Sequence, residues 1–455
     1  MLCLAHLSKQ LNFVAYHPTL TATDQEMAEN IQRLPGFRDF FPEDCAVRNY
    51  IFSKWREVSA IYGFHEYDGP ILEPTELYKK KSGEEILTQL FHFEDRGERS
   101  VAMRPELTPT LARMAVARQR DYKKPLRWFG IGQFFRYEKP QKGRTREFYQ
   151  LNSDILGEES KEADAEIIAF AIDIMLSLGF TKEDFIIRLS DRQAWLDFIN
   201  SINLSESLHS NFLQIIDKLD RQSQNKTEEE LAKLNISLES VTNFINSTKS
   251  NSHFSSIIDN LNARGLSEYV KIDLNVVRGL AYYTGTVFEV FDTKKNMRAV
   301  AGGGRYDKLC SVISDGATDL PACGFAMGDV VISDFIKSTK KANSQLLNHL
   351  ATTDCSDAYV IIADEAKRPE AMKVVQRLRR NGYKTIYPLT KLKVGKQFNN
   401  AEHLKVRSAI VIGSEYPKVK VKDLLNRSEE EVEVDEIINL VEKIQKAPIE
   451  HPLIS

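Results

Sequence analysis

Long apolar runs are missing from this 455-residue chain. No stretch approaches the roughly 18 residues that a membrane-crossing helix needs, so no span is expected. Cysteine is scarce and scattered: Cys3, Cys45, Cys310, Cys323 and Cys355 include no CxxC pair. That excludes a zinc ribbon and a disulfide framework, and it suits a reducing cytosol. A dominant charge is missing too. The 61 Lys and Arg stand against 64 Asp and Glu, a formal net charge of −3, so any nucleic-acid surface must be local. The opening MLCLAHLSKQLNFVAYHPTLTATDQ has one Lys, no Arg and one acid. It lacks the Arg-rich character of a transit peptide and the apolar core of a secretory signal. A disordered extension over 1–30 is expected, with Met27 as an alternative start and the cytoplasm as the compartment. The length suffices for two or three domains.

What is present concentrates between Arg127 and Gly157. Two runs rich in aromatic and β-branched residues, 128–135 and 148–156, flank a polar stretch, 138–146. This predicts a strand, a loop and a returning strand. Gly143 gives the basic loop room to bend tightly. With a period of two, Arg136 and Glu138 share one facing at the end of the first strand. Gln150 and Asp154 share one face of the second. A cation and several polar groups would converge on one open sheet surface. A solvated hairpin with a charged loop fits the same local pattern.

Upstream, Pro42, Glu43 and Asp44 suit a helix N-terminus. A helix over about 45–62 follows, with Tyr50, Ile51, Trp55, Val58 and Ile61 at helical spacing and Gly63 as its stop. Pro105 and Pro109 stiffen the turn before a further helix, so rigid backbone presents Glu106 and Thr108. Thr108 also suits an N-cap. A helix over 160–178 and a strand over 185–189 come after the hairpin. From about 191 to 268 Ser and Asn are common, Gly and Pro nearly absent, and helical apolar spacing recurs, which implies a helical insertion. Strand texture returns over 271–292. The polar stretch 338–356 has no pattern and reads as a linker. Beyond it, strand and helix alternate from 359 to 413, implying a small parallel-type sheet. Between 366 and 422 there are 15 Lys/Arg against 3 Asp/Glu. A merely solvated surface would mix signs, so this patch points to nucleic acid.

Four strings carry a resemblance. FRYEKPQKGRTREFYQ (135–150), RGLAYYTGTVFE (278–289), AGGGRYDKL (301–309) and PACGFAMGDVVI (321–332) resemble motifs of the histidyl-tRNA synthetase family, class II aminoacyl-tRNA synthetases. They do so in order and approximate spacing, and the likeness runs from about 32 to 444. It implies an α/β fold class: an α+β catalytic domain over 31–337, with the class II antiparallel sheet flanked by helices. A helical insertion over 191–268 would clamp the tRNA acceptor stem. A C-terminal α/β anticodon-binding domain would occupy 357–449. The first helix would build a homodimer.

The resemblance further implies activation of L-histidine by ATP with Mg2+, then transfer to histidine tRNA. Arg136 and Arg278 are the implied catalytic cations, the first on the α-phosphate and the second bridging carboxylate and phosphate. Glu106, Thr108 and Gln150 would take the substrate's amino group. Asp154 and Tyr283 would meet the two ring nitrogens, with Tyr282 and Tyr306 in the same pocket. Phe148 would stack on adenine and Glu138 hold its amino group. Gln141 and Arg144 would meet the acceptor end of tRNA. No protein ligand to a metal is implied. The chain departs from the family at Leu107, where Gly is usual, at Ala281, where Asp is usual, and at Asp154, where Glu is frequent. The largest departure is Asp329-Val330-Val331, where the family carries an Arg that grips ATP. The outer phosphates would then fall to Arg144 and Arg146, or to magnesium held by Asp329. A different class of function is a histidine-sensing regulatory paralogue of ATP phosphoribosyltransferase. Arg278, Tyr282, Tyr283 and the basic C-terminal region argue against it.

Overall fold

The stretch from Arg127 to Gly157 forms a hairpin inside an eight-stranded sheet. The computed structural model describes residues 32–447 apart from 142, 220–221, 248–251, 277–282, 295–296 and 354–355. The N-terminal extension, Arg278 and Tyr282 therefore lie outside the described residues. The chain divides into two units near residue 346.

The strands of the first unit are β1 (His65–Glu66), β2 (Leu72–Pro74), β3 (His92–Glu94), β4 (Ser100–Met103), β5 (Leu126–Phe135), β6 (Glu147–Leu156), β7 (Phe185–Asp191), β8 (Val270–Ile272), β9 (Thr286–Asp292), β10 (Ala301–Arg305) and β11 (Ala322–Gly328). The large sheet runs β1-β5-β6-β11-β10-β9-β7-β8, and β2, β4 and β3 make a small second sheet. The pairs from β5 through β7 are all antiparallel. One face is covered by helices. Trp55, on the helix Pro42–Ile61, points its indole N–H at the Met327 sulfur, 3.3 Å away. Phe170, on the helix Lys161–Ser177, meets Phe325 edge-on with ring centroids 5.5 Å apart.

The first helix starts at Pro42, and its N-terminal turn is closed by Asp44, whose carboxylate accepts from the Phe41 N–H at 3.2 Å. Tyr50, Ile51, Trp55 and Val58 are buried, but Ile61 is 74% exposed. Helical spacing put Ile61 on the apolar stripe; as the last helical residue it has turned past the sheet. Among the described residues, five α-helices follow β7: Arg192–Ser201, Glu206–Asp217, Gln224–Ala232, Leu238–Ser247 and Ser252–Ala263.

The linker expected over 338–356 is instead largely a helix, Lys340–Thr353. Ala342 and Leu346 are buried at i and i+4. The Gln345 amide donates to the Tyr50 hydroxyl at 3.0 Å and to the Ser177 carbonyl at 2.7 Å. Ala342, Leu346, the likewise buried Leu347 and one half-buried amide suffice to fix a helix that otherwise reads as polar.

The second unit contains β12 (Ala358–Ile362), β13 (Thr385–Ile386), β14 (Ser408–Ile412), β15 (Lys418–Asp423) and β16 (Ser428–Glu433). The sheet is mixed rather than parallel: β13, β12 and β14 are parallel, whereas β15 and β16 return antiparallel. Lys418, Lys420 and Lys422 on β15 stand opposite Glu433, Glu431 and Glu429. Part of the basic count is therefore balanced inside the sheet, with Lys422 2.6 Å from Glu429.

Candidate active site

The floor of the site, the face of the large sheet opposite the two helices, carries glycine or alanine at many of its positions. Register aligns Val287, Gly304, Gly324, Asp154 and Trp128 in one row across β9, β10, β11, β6 and β5. The next row is Glu289, Gly302, Ala326, Asn152 and Gly130, and the one after holds Gly328, Gln150 and Gly132. A side chain at Gly324 would collide with the Asp154 carboxylate, and one at Gly304 would come within 3.0 Å of the Tyr283 ring. Glycine at these two places lets Asp154 and Tyr283 lie down over the strands. The β6 alternation expected for Gln150 and Asp154 is present, and it adds Asn152 between them.

Asp154 is 2% exposed. One of its oxygens accepts from the Tyr306 hydroxyl; the other has no partner among the described residues. Burial pushes this carboxyl up to about 7, against the pull of the Tyr306 bond and of Lys81. The Asn152 Oδ1 and the Tyr67 hydroxyl are likewise buried and unpartnered among the described residues. The Tyr67 ring lies 5.9 Å from that of Trp128, the β5 neighbour of Asp154. Burial and then the Asp154 charge hold the Tyr67 phenol well above its usual pKa. Buried polar atoms are nearly always bonded, so three orphans around one hollow call for a polar ligand.

Glu106 and Thr108 stand at a second corner. Glu106 is ion-paired with Lys81 at 2.6 Å. Burial works against its charge, but Lys81 and then Arg136 hold its carboxyl below the usual range. Thr108 is the first residue of the helix Thr108–Arg118, with Leu107 in the capping position, so it is not the N-cap. Its hydroxyl makes no hydrogen bond among the described residues.

Arg136 and Glu138 lie beyond the end of β5, so strand alternation does not set their facing. The Arg136 Nε donates to the Pro105 carbonyl at 3.1 Å, and its guanidinium lies 4.9 Å over the Phe148 ring. Glu138 is 2.7 Å from Arg144. Arg146 donates to the Glu138 carbonyl at 3.0 Å and lies 4.6 Å over Tyr137. Both loop arginines are thus already engaged. Gln141 and Arg144 close the loop tip through paired backbone bonds of 3.0 and 2.8 Å, around Gly143 with φ +74°.

The carboxylate of Asp329 accepts from the Tyr149 N–H at 2.9 Å and pairs with Arg38 at 2.9 Å; Arg38 also pairs with Glu147 at 3.1 Å. Asp329 is 4% exposed. Burial pushes its carboxyl up, and Arg38 opposes that. Its oxygens are committed to holding the helix Asp329–Ser338 against β6, so it does not present them to magnesium. No group of three or more candidate metal-ligating side chains occurs among the described residues.

The sequence pattern described as histidyl-tRNA synthetase matches residues 36–329, and an anticodon binding domain pattern matches 357–444. A histidine–tRNA ligase of Opitutus terrae is 40% identical over 435 residues, covering 90% of this chain and 98% of the relative. The chloroplastic/mitochondrial histidine–tRNA ligase of Arabidopsis thaliana is 35% identical, with 92% and 88% covered. The crystal structure of histidyl-tRNA synthetase from Nostoc sp. PCC 7120 superposes with a TM-score of 0.71 at 25% identity, over 92% of this chain and all of that one. The chain belongs to the histidyl-tRNA synthetase family. It has the α/β architecture expected of a class II enzyme, and no helix among the described residues is long and apolar enough to cross a membrane.

Several site residues were not singled out by the family's motifs. Asn152 was legible, since it alternates between Gln150 and Asp154. Lys81 is hidden among three consecutive lysines, and only its burial beside Glu106 distinguishes it. Tyr67 and Arg38 carried no sequence signal, because their partners lie about 90 and 110 or more positions away.

Proposed function

We propose that this chain activates histidine with ATP and transfers it to the 3′ end of histidine tRNA, as a cytoplasmic homodimer. The observation that carries this reading is the hollow around Asp154, Asn152 and Tyr67. A neutral imidazole has one N–H donor and one acceptor nitrogen. The unpartnered Asp154 oxygen accepts the ring N–H, and a tyrosine hydroxyl, Tyr283 or Tyr67, donates to the other nitrogen. A side chain lacking these groups leaves buried atoms unpaired, and such sites discriminate by about 10⁴–10⁵.

The substrate's ammonium fits Glu106, Thr108 and Gln150. Glu106 already holds one ammonium, that of Lys81, so the position suits a cation. The substrate carboxylate then attacks the α-phosphorus, forming a carboxyl–phosphate bond as the bond to pyrophosphate breaks. Negative charge gathers there, and Arg136, held by Pro105 and Phe148, is a fixed cation for it. Arg278 and Tyr282, outside the described residues, are assigned by resemblance to the carboxylate and the ring pocket. Phe148 offers a face for adenine, with the Glu138 oxygen that is not paired with Arg144 at its amino group. Magnesium would supply counter-charge to the ATP phosphates, with no protein ligand assigned to it. In the second step the terminal adenosine hydroxyl attacks the activated carbonyl and AMP leaves. Gln141 and Arg144 meet the acceptor end, and the C-terminal unit meets the anticodon.

Pyrophosphate exchange into ATP, run with each amino acid in turn, tests the first step. Exchange with histidine alone is expected. Absence of exchange with histidine would overturn the reading and favour a histidine sensor.

A further inference from the structure

The outer phosphates of ATP need a fixed cation, and the residues first in line for that task are occupied. Arg38 is bound by Glu147 and Asp329, Arg144 by Glu138, and Arg146 by the Glu138 carbonyl and the Tyr137 ring. The third row of the floor offers open space that could take these phosphates. It ends at Gly328, where a Cβ would meet nothing within 4 Å. This open end lies one row inside Phe148, near the edge where β5 and β11 finish and β6 and β10 begin.

The chain reaches the same edge once more, in the connection from β9 to β10. Arg298 lies there, exposed. It makes no ion pair or hydrogen bond among the described residues. Its stem packs against the tip of the β5–β6 loop: a Cβ on Gly143 would sit 3.7 Å from Arg298 Cδ. The same point lies 3.7 Å from Val331 Cγ2, in the first turn of the helix Asp329–Ser338. Arg298 is therefore seated where loop tip and helix start converge, and the helix's own residue there is apolar.

We infer that Arg298 grips the β- and γ-phosphates of ATP, reaching across from the β9–β10 connection to the loop tip. The inference rests on the proposed reading of the floor as an ATP and histidine site. A guanidinium is permanently charged, presents a planar fork that matches two phosphate oxygens, and here has no internal pair to break. The stem contact with Gly143 also explains how an exposed side chain is aimed: the tip of the β5–β6 loop lies against it.

The test compares Arg298→Ala and Arg298→Lys with the full-length wild type. Affinities for ATP and for AMP are measured by calorimetry, and KM values for ATP and histidine by pyrophosphate exchange. Arg298→Ala should weaken ATP at least tenfold in both assays while AMP affinity and the KM for histidine stay within twofold. Arg298→Lys should recover part of the loss, because it keeps the charge without the fork. Melting temperature should not move, since the side chain is exposed. ATP affinity within threefold of wild type in Arg298→Ala would overturn the inference, as would an equal loss for AMP. A wild type that binds ATP but shows no histidine-dependent exchange would sink the functional reading while leaving Arg298 tested by the ATP–AMP difference. A wild type that binds no ATP would sink both.

Discussion

Asp154 shows what a single residue gives up for recognition. Its burial, one committed oxygen and one orphan oxygen make a good receptor for a ring N–H and a poor resident of an empty fold. A carboxyl whose folded pKa exceeds its unfolded value binds more protons folded than unfolded. Its contribution to stability therefore falls as pH rises from about 4 to about 7. Asp154→Asn removes that titration and keeps an oxygen for Tyr306. All three tryptophans, Trp55, Trp128 and Trp195, lie in the first unit, so their fluorescence reports its unfolding alone. The stability of Asp154→Asn relative to wild type should grow between pH 5 and pH 8, by on the order of 2 kcal/mol. A constant difference across that range would remove the raised carboxyl from the account. The variant should also lose histidine-dependent exchange at every pH. Strand alternation alone places Asp154 on the same face as Gln150, and that much was legible in the sequence. The orphan oxygen was not legible, because it depends on Tyr67 and Tyr306, which arrive from strand ends distant in sequence.

At the scale of elements, the floor separates glycines the fold requires from glycines the ligand requires. Gly324 is needed in the empty protein, since a side chain there strikes Asp154. Gly328 is different: its backbone is extended, φ −87° and ψ 144°, and open space lies above it. Gly328→Val should fold with an unchanged melting temperature, yet raise the KM for ATP at least tenfold by filling the floor beside Gln150. Unchanged exchange kinetics would show that no substrate crosses this row. The hairpin, the first helix and the helical insertion were legible because each carries its own period. The helix Lys340–Thr353 was not, because its few buried apolar residues are clustered rather than spread as a stripe, and the rest of its anchoring comes from Gln345 bonding to Tyr50 and Ser177. Sequence also left the outer-phosphate cation open between Arg144, Arg146 and Asp329. It could not show that Arg144 is paired with Glu138, Arg146 held by a carbonyl and a ring, and Asp329 by Arg38 and a backbone N–H.

At the scale of the whole molecule, charge is segregated rather than absent: a chain of net −3 holds 15 Lys/Arg against 3 Asp/Glu between 366 and 422. The fold then divides that patch in two. Lys418, Lys420 and Lys422 face a strand of glutamates, and their field is largely cancelled at short range. Lys391, Lys393 and Lys396 stand exposed near the start of the helix Val394–His403, next to Leu389, which is 81% exposed. An apolar side chain amid exposed lysines suits a single-stranded RNA loop, where bases pack on the one and phosphates meet the others. Replacing Lys391, Lys393 and Lys396 together by Gln should leave pyrophosphate exchange untouched, because no chemistry passes through them. Charging at limiting tRNA should fall at least tenfold. Each lost phosphate contact on a single strand lowers the log–log salt slope of binding by about 0.7, so the triple variant should lose about 2 from the slope. The matching triple at Lys418, Lys420 and Lys422 should change neither by more than a factor of two to three. Equal damage from both sets would mean that the count of lysines, and not their pairing in the fold, decides where RNA binds.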